Sequence, residues 1–381
     1  MPLFIQRTQL SLIHIPLNLY SNFLHSILKL LLPLESGIEN GAETNGNGTS
    51  GSTPWAYDHK FTNISVTPIE CSIVCSKNVA DKIFVPARNS LPKERQNEVS
   101  ITAEDYVVIQ VDGEGLEAGQ RVLELTSPLA MAGIPIFFIT TYFSDYILVP
   151  TKARLQVTAA LSERGFDFQE DEGTHVTSPL NAHNRNRSSN SSLEMVAPST
   201  PPPTSIAELQ TRTFSLLKKR SIVPSVNPDI RLVQCAGNSM NTDSALHLGL
   251  VKCLTLTPQF LSLTLTDGEE PSLLLEQRLL RHFPADALLG ATTDVMVPIS
   301  LDLRDLPLES TGIVCGVAGR LVGVTSMSAP TNGNGSRNGT AAVEMSYLST
   351  ARAGNVMVAE DELDRAVEAL RGAASGVLAP S

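Results

Sequence analysis

Apolar and polar positions along this chain follow two periods, and the order in which the periods succeed one another is repeated. Residues 106–111 form a short apolar run that reads as a strand. Residues 116–132 then place Leu125 and Leu129 on one helical face. Two strand-length apolar runs, 134–141 and 146–149, are joined by a tight polar turn, and 151–164 returns to helical spacing. The same succession recurs as a strand at 295–301, a helix at 312–324, a hairpin within 342–358 and a helix at 361–371. In that last helix Leu363, Ala366, Val367 and Leu370 stand at i, i+3, i+4 and i+7, the mark of one buried stripe. Strand, helix, hairpin, helix is the body of a βαββαβ module.

Segment 139–149 is written again as 348–358 at a constant offset of 209, so that Thr141 corresponds to Thr350 and Val149 to Val358. The preceding helices correspond at an offset of 192, Leu125 with Val317 and Leu129 with Leu321; an Asn/Gly-rich stretch at 329–339 accounts for most of the difference. Two weaker copies complete the set. The first would have strands at 9–15, 70–74 and 83–85 with a helix at 20–32. The third would have a strand at 230–235, a helix at 244–254 capped by Asn241, Thr242 and Asp243, and a hairpin 260–266/272–275. The expectation is an α+β fold of four tandem ferredoxin-like βαββαβ domains, arranged as two side-by-side pairs. Their bounds are 1–98 (with an insertion at 36–52), 99–170, 206–294 and 295–375 (with the insertion at 329–339). A disordered linker at 171–205 divides the halves.

A chain of 381 residues has room for several such domains. Its net charge of −11 argues against a nucleic-acid or anionic-membrane partner, and Lys218-Lys219-Arg220 reads as a solvated flank. Five cysteines, without CxxC spacing, indicate neither a disulfide framework nor a zinc site and suit a reducing, cytoplasmic setting. Cys71 and Cys75 share a strand face and read as buried small hydrophobes. The apolar stretch 9–34 is interrupted by Asn18, Asn22, His25 and Lys29 and split by Pro16. Neither half reaches the ~20 residues of a membrane span.

One motif suggests different chemistry. Gly113-Glu114-Gly115-Leu116-Glu117-Ala118 follows a strand, opens a helix and satisfies G-x-G-x-x-A, the dinucleotide fingerprint. A Rossmann unit would need a crossover helix after its second strand, whereas Phe143-Ser144-Asp145 turns that strand straight into a hairpin. The bland reading is a glycine turn before an open helix N-terminus. No Ser/His/Asp set, HExxH box or phosphate loop is present, His247 reads as a helix residue, and Glu269 and Glu270 as ordinary turn charges. The expectation is therefore a non-catalytic protein with no cofactor. Paired modules set the N-terminus of one module's helix against a neighbouring hairpin, and the free amides there suit a carboxylate such as that of an amino acid.

Residues 139–150, together with Thr311-Gly312-Ile313-Val314 and Leu348-Ser349-Thr350, resemble the ACT domains of the CASTOR family, cytosolic arginine sensors built of four such domains. Asp81-Lys82-Ile83-Phe84-Val85 is similar to a strand of the family's first domain. The resemblance implies an amino-acid sensor acting on a TOR-regulating complex, with a homodimer among its assemblies. It implies a ligand site between domains two and four, with Gly312 and Ile313 as backbone cradle, Ser349 and Thr350 on the hairpin, Glu124 and Leu125 across the cleft, and Glu309 before the glycine turn. The family's guanidinium-binding aspartate corresponds to Gly354, and Arg352 lies two residues earlier, so a neutral or acidic ligand is expected in place of arginine. The alternatives are a ligand-free ACT-repeat scaffold and a dinucleotide-binding enzyme.

Overall fold

A computed structural model describes residues 2–32, 59–112, 118–169, 203–238, 243–284, 286–323 and 343–371. The glycine motif before Ala118, the insertions 36–52 and 329–339, nearly all of the linker, and Asn241 and Thr242 lie outside the described residues.

Each of the four segments contributes a strand, a helix and a hairpin. The first has β2 (Leu10–Ile15), α1 (Tyr20–Leu31), β3 (Phe61–Val66) and β4 (Cys71–Ser76), preceded by β1 (Pro2–Ile5). The second has β5 (Tyr106–Asp112), α2 (Ala118–Met131), β6 (Phe137–Thr140), β7 (Ser144–Pro150), α3 (Arg154–Ser162) and β8 (Asp167–Gln169). After a helix α4 (Ile206–Lys219), the third has β9 (Leu232–Gly237), α5 (Asp243–Thr255), β10 (Leu261–Thr266) and β11 (Ser272–Glu276). The fourth has β12 (Met296–Asp302), α6 (Ile313–Gly323), β13 (Met345–Ser349), β14 (Ala353–Ala359) and α7 (Leu363–Arg371).

The strands pair in a closed ring, in the order β2, β4, β3, β10, β11, β9, β12, β14, β13, β6, β7, β5 and back to β2. The ring is not uniform. The first and third modules join through a long antiparallel ladder, Phe61 opposite Thr266 to Val66 opposite Leu261. The closures β2–β5 and β9–β12 rest on single residue pairs, Leu10 with Tyr106 and Leu232 with Met296. Three large buried clusters follow, beside a small one of Ala130, Leu209 and Cys315. One lies under α1 and α5, a second under α2, α6, α3 and α7, and a third draws Leu12, Phe61, Tyr146, Phe260, Leu348 and Met357 from all four modules. The third fills the ring, so each strand's alternate residues serve the interior or a helix layer.

One expectation requires correction. Residues 83–85 are not a strand: Ala80–Phe84 and Val85–Asn89 are helical. The Ser76 hydroxyl accepts from the Val79 amide at 3.4 Å, and Val79, Ala80, Ile83 and Phe84 bury one helical face. Strand β3 was not foreseen from the sequence, because its ring-facing Asn63 and Ser65 are polar. They bond within the barrel, the Asn63 amide donating to the Ser262 and Thr264 hydroxyls at 3.0 Å each. The parallel pair demanded by a dinucleotide fold does not form, since β5 pairs antiparallel with β7, and β6 antiparallel with β7 and β13. The chain's first strand also crosses modules: β1 pairs antiparallel with β5 and parallel with β8, extending the second module's sheet.

Candidate functional site

The repeated segments meet each other. Ile139 pairs directly with Leu348, its own counterpart at the 209 offset. Around that point the contacts are reciprocal. The Phe138 amide donates to the Ser349 hydroxyl at 2.9 Å, and the Tyr347 amide donates to the Thr140 hydroxyl at 3.1 Å. Phe138 corresponds to Tyr347 and Thr140 to Ser349, so a local two-fold axis passes through the seam. Helices α2 and α6 lie side by side above it, and α4 covers both.

Helix α4 begins with a capping box: the Glu208 amide donates to the Ser205 hydroxyl, and the Thr204 amide donates to the Glu208 carboxylate at 2.8 Å. The helix then packs on the glycines of α6. Gly312 has φ +79°, and a Cβ there would stand 2.7 Å from Leu209 Cδ1. Only glycine meets both demands, the left-handed turn and the close neighbour. The Thr213 hydroxyl donates to the Gly312 carbonyl at 3.3 Å, and the first closed bond of α6 runs from the Gly316 amide to that same carbonyl. The amides of Ile313, Val314 and Cys315 are thus the open donors of the helix start.

Beside this start lies a cavity of about 50 Å³, bounded by Thr126 and Ala130 of α2, Ile134, Ile136 and Phe137, the uncharged residues Leu303, Leu306, Pro307, Leu308 and Ser310 of the next loop, Gly312 to Cys315, and Tyr347, Ser349, Thr350, Ala351 and Ala353 on the hairpin. That volume holds roughly three or four waters. Among its described lining residues none is Asp, Glu, Lys, Arg or His. Burial pushes the Cys315 thiol up, so the one thiol in the described lining stays protonated near neutrality.

The sequence-predicted residues divide into two groups. Gly312, Ile313, Ser349 and Thr350 line the cavity together. The hydroxyls of the last two are already engaged: Ser349 accepts from Phe138, and Thr350 donates to Glu70 at 2.6 Å. Glu124, Leu125 and Glu309 do not line it. Glu124 is exposed and accepts from Gln120, Leu125 is wholly buried among apolar side chains, and Glu309 is exposed, its place at the rim taken by Leu308 and Ser310. Arg352 does not line the cavity either; its backbone amide donates to Glu70.

Three contributors were missed in the sequence. Tyr347 lines the cavity and is 1% exposed, and burial pushes its phenol up. Glu70, wholly buried, accepts from Thr350 and Arg352, pairs with His14, and so ties the first module to the turn that walls the cavity. Glu269 plays the equivalent part for the second module, accepting from Ser144, Gln110 and the Tyr146 hydroxyl. In the second module's own hairpin the Asp145 carboxylate is buried against the Arg121 guanidinium of α2. Burial holds Asp145 above the usual carboxylate range, against the smaller downward pull of the Arg121 charge and hydrogen bond.

Residues 101–163 match the model of the ACT domain family. That is the class the second module defines; the other segments do not carry the match. Among solved structures, one from Agobacterium tumefaciens is 18% identical, with 46% of this chain and 96% of that one covered and a TM-score of 0.26. Aspartate kinase from Synechocystis is 10% identical, with 100% and 57% covered and a TM-score of 0.31, so the chain spans a little over half of that enzyme's length. A protein of unknown function from Vibrio cholerae is 16% identical, with 42% and 94% covered and a TM-score of 0.27. A search of curated proteins returns no match. Among the described residues no helix is long and apolar enough to cross a membrane.

Proposed function

We propose that the chain is a non-catalytic regulatory protein that binds a small amino acid between its second and fourth modules. The observation that carries this reading is the cavity at the seam of the two repeats, which joins open helix amides to neutral walls. The amides of Ile313 to Cys315 suit a carboxylate. The carbonyls of the 303–310 loop and the Tyr347 oxygen suit an amine. Nothing in the described lining can exchange a proton near neutrality or present an activated nucleophile, which favours binding over turnover. The ACT match at 101–163 supports a regulatory small-molecule role.

On this reading the four βαββ segments are four ACT-type domains in two side-by-side pairs, within a cytoplasmic nutrient sensor of the CASTOR kind. Occupancy of the cavity would be read by a protein partner, a TOR-regulating complex being the one the resemblance suggests. The small cavity and the committed hydroxyls of Ser349 and Thr350 favour a second reading, a scaffold whose site has closed. Thermal-shift measurements on the full chain with each of the twenty amino acids separate the two. At roughly a hundredfold excess over Kd, a bound amino acid stabilises by about 2.7 kcal/mol and raises the melting temperature visibly. If all twenty leave it unmoved, the sensor reading fails and the scaffold stands.

A further inference from the structure

The cavity and its counterpart in the second module differ at the positions that set charge. The offset relating α2 to α6 carries Arg121 onto Ile313, and the hairpin offset carries Asp145 onto Gly354 and Phe138 onto Tyr347. In the second module the two charges are present, buried and paired with each other. In the fourth both have gone together. The helix start offers Ile313, 8% exposed, and the hairpin offers a glycine.

The space at that glycine is not empty. A Cβ on Gly354 would stand 2.5 Å from the Tyr347 hydroxyl, so the phenol holds the volume that an acid's side chain would need. Tyr347 is 1% exposed as a residue and lines the cavity, and its hydroxyl makes no hydrogen bond among the described residues. A hydroxyl that lines a cavity without a bond to the described protein groups can both donate to and accept from a guest there. A charged ligand side chain would enter the same space with no counter-charge among the described lining residues.

Resting on the amino-acid reading above, the geometry points to a ligand with a small uncharged side chain, of the size of alanine, serine, threonine or valine. The Tyr347 hydroxyl bonds one of its polar backbone groups. The exchange of an Arg/Asp pair for Ile313, Gly354 and Tyr347 converts a self-filled site into an open one and sets its preference. Arginine, lysine, aspartate and glutamate are excluded by the missing counter-charge.

Titration calorimetry on the full chain with those eight amino acids tests the assignment. At least one neutral member binds and no charged one does, and Tyr347→Phe, which removes a single oxygen, weakens the neutral ligand by roughly tenfold. Binding of arginine, lysine, aspartate or glutamate overturns the assigned class and leaves the amino-acid reading standing. Silence from all eight, with a thermal response to none of the twenty, overturns both. Unchanged affinity in Tyr347→Phe removes the phenol from the site, and the neutral-against-charged comparison on the native chain needs no variant to fold.

Discussion

Arg121 and Asp145 show how one residue pair decides what a site can be. The two are buried against each other, so removing either strands the other's charge out of water. Asp145→Asn should therefore cost about 3–5 kcal/mol in urea unfolding. Arg121→Ile combined with Asp145→Gly, which copies the fourth module, should cost less than the two single changes added, because no charge is then left unpaired. Additive losses would mean that the pair is not coupled. The repeat made this comparison legible in the sequence as far as Gly354 standing where Asp145 stands. Tyr347 and Glu70 were not legible. The first looks like an ordinary strand aromatic, though the same offset applied to Phe138 would have marked it. The second acts on Thr350 from 280 residues away, and no local pattern records such a pairing.

At the scale of elements, periodicity was a good guide where one face is apolar and a poor one where it is not. Helices α2 and α6 and the hairpins 137–150 and 345–359 fall within a few residues of their expected places. Strand β3 escaped because Asn63 and Ser65 satisfy each other and β10 inside the ring, which makes a buried strand look polar. Residues 83–85 misled in the opposite sense: Ile, Phe and Val in a row suggest a strand, yet the spacing of Val79, Ala80, Ile83 and Phe84 is helical. Helix α4 was also missed, although its Ser205-x-x-Glu208 box is a sequence signal. Its close seat on α6 gives a prediction. Gly312→Ala forces a Cβ into a left-handed turn and against Leu209, and should destabilise the chain by about 1–3 kcal/mol in thermal or urea melts. A neutral effect would show that α4 is free to move away.

At the scale of the molecule, the matched family segment is not a self-sufficient unit. Its ring-facing Tyr106, Val108, Phe137, Tyr146 and Leu148 are covered by the other modules, and the Tyr146 ring lies 5.0 Å from that of Phe61. Expressed alone, residues 99–169 should lack a cooperative calorimetric transition as a monomer and should self-associate in sedimentation. A monomer with a sharp transition would contradict this dependence.

The ring also imposes an order in time. Strand β1 waits for Ile109, Gln110 and Val111, more than a hundred residues downstream, which at ~5–20 residues per second is a delay on the order of 5–20 s during synthesis. Glu70 waits for Thr350 far longer. Local hairpins and their helices can form as they emerge, but the pairings that close the circle are among the most distant in the chain and carry the largest entropic cost of closure. Until the last of them is made, the apolar lining of the ring is exposed surface. The architecture that shelters the cavity in the finished protein is therefore also the source of its slowest and most aggregation-prone interval.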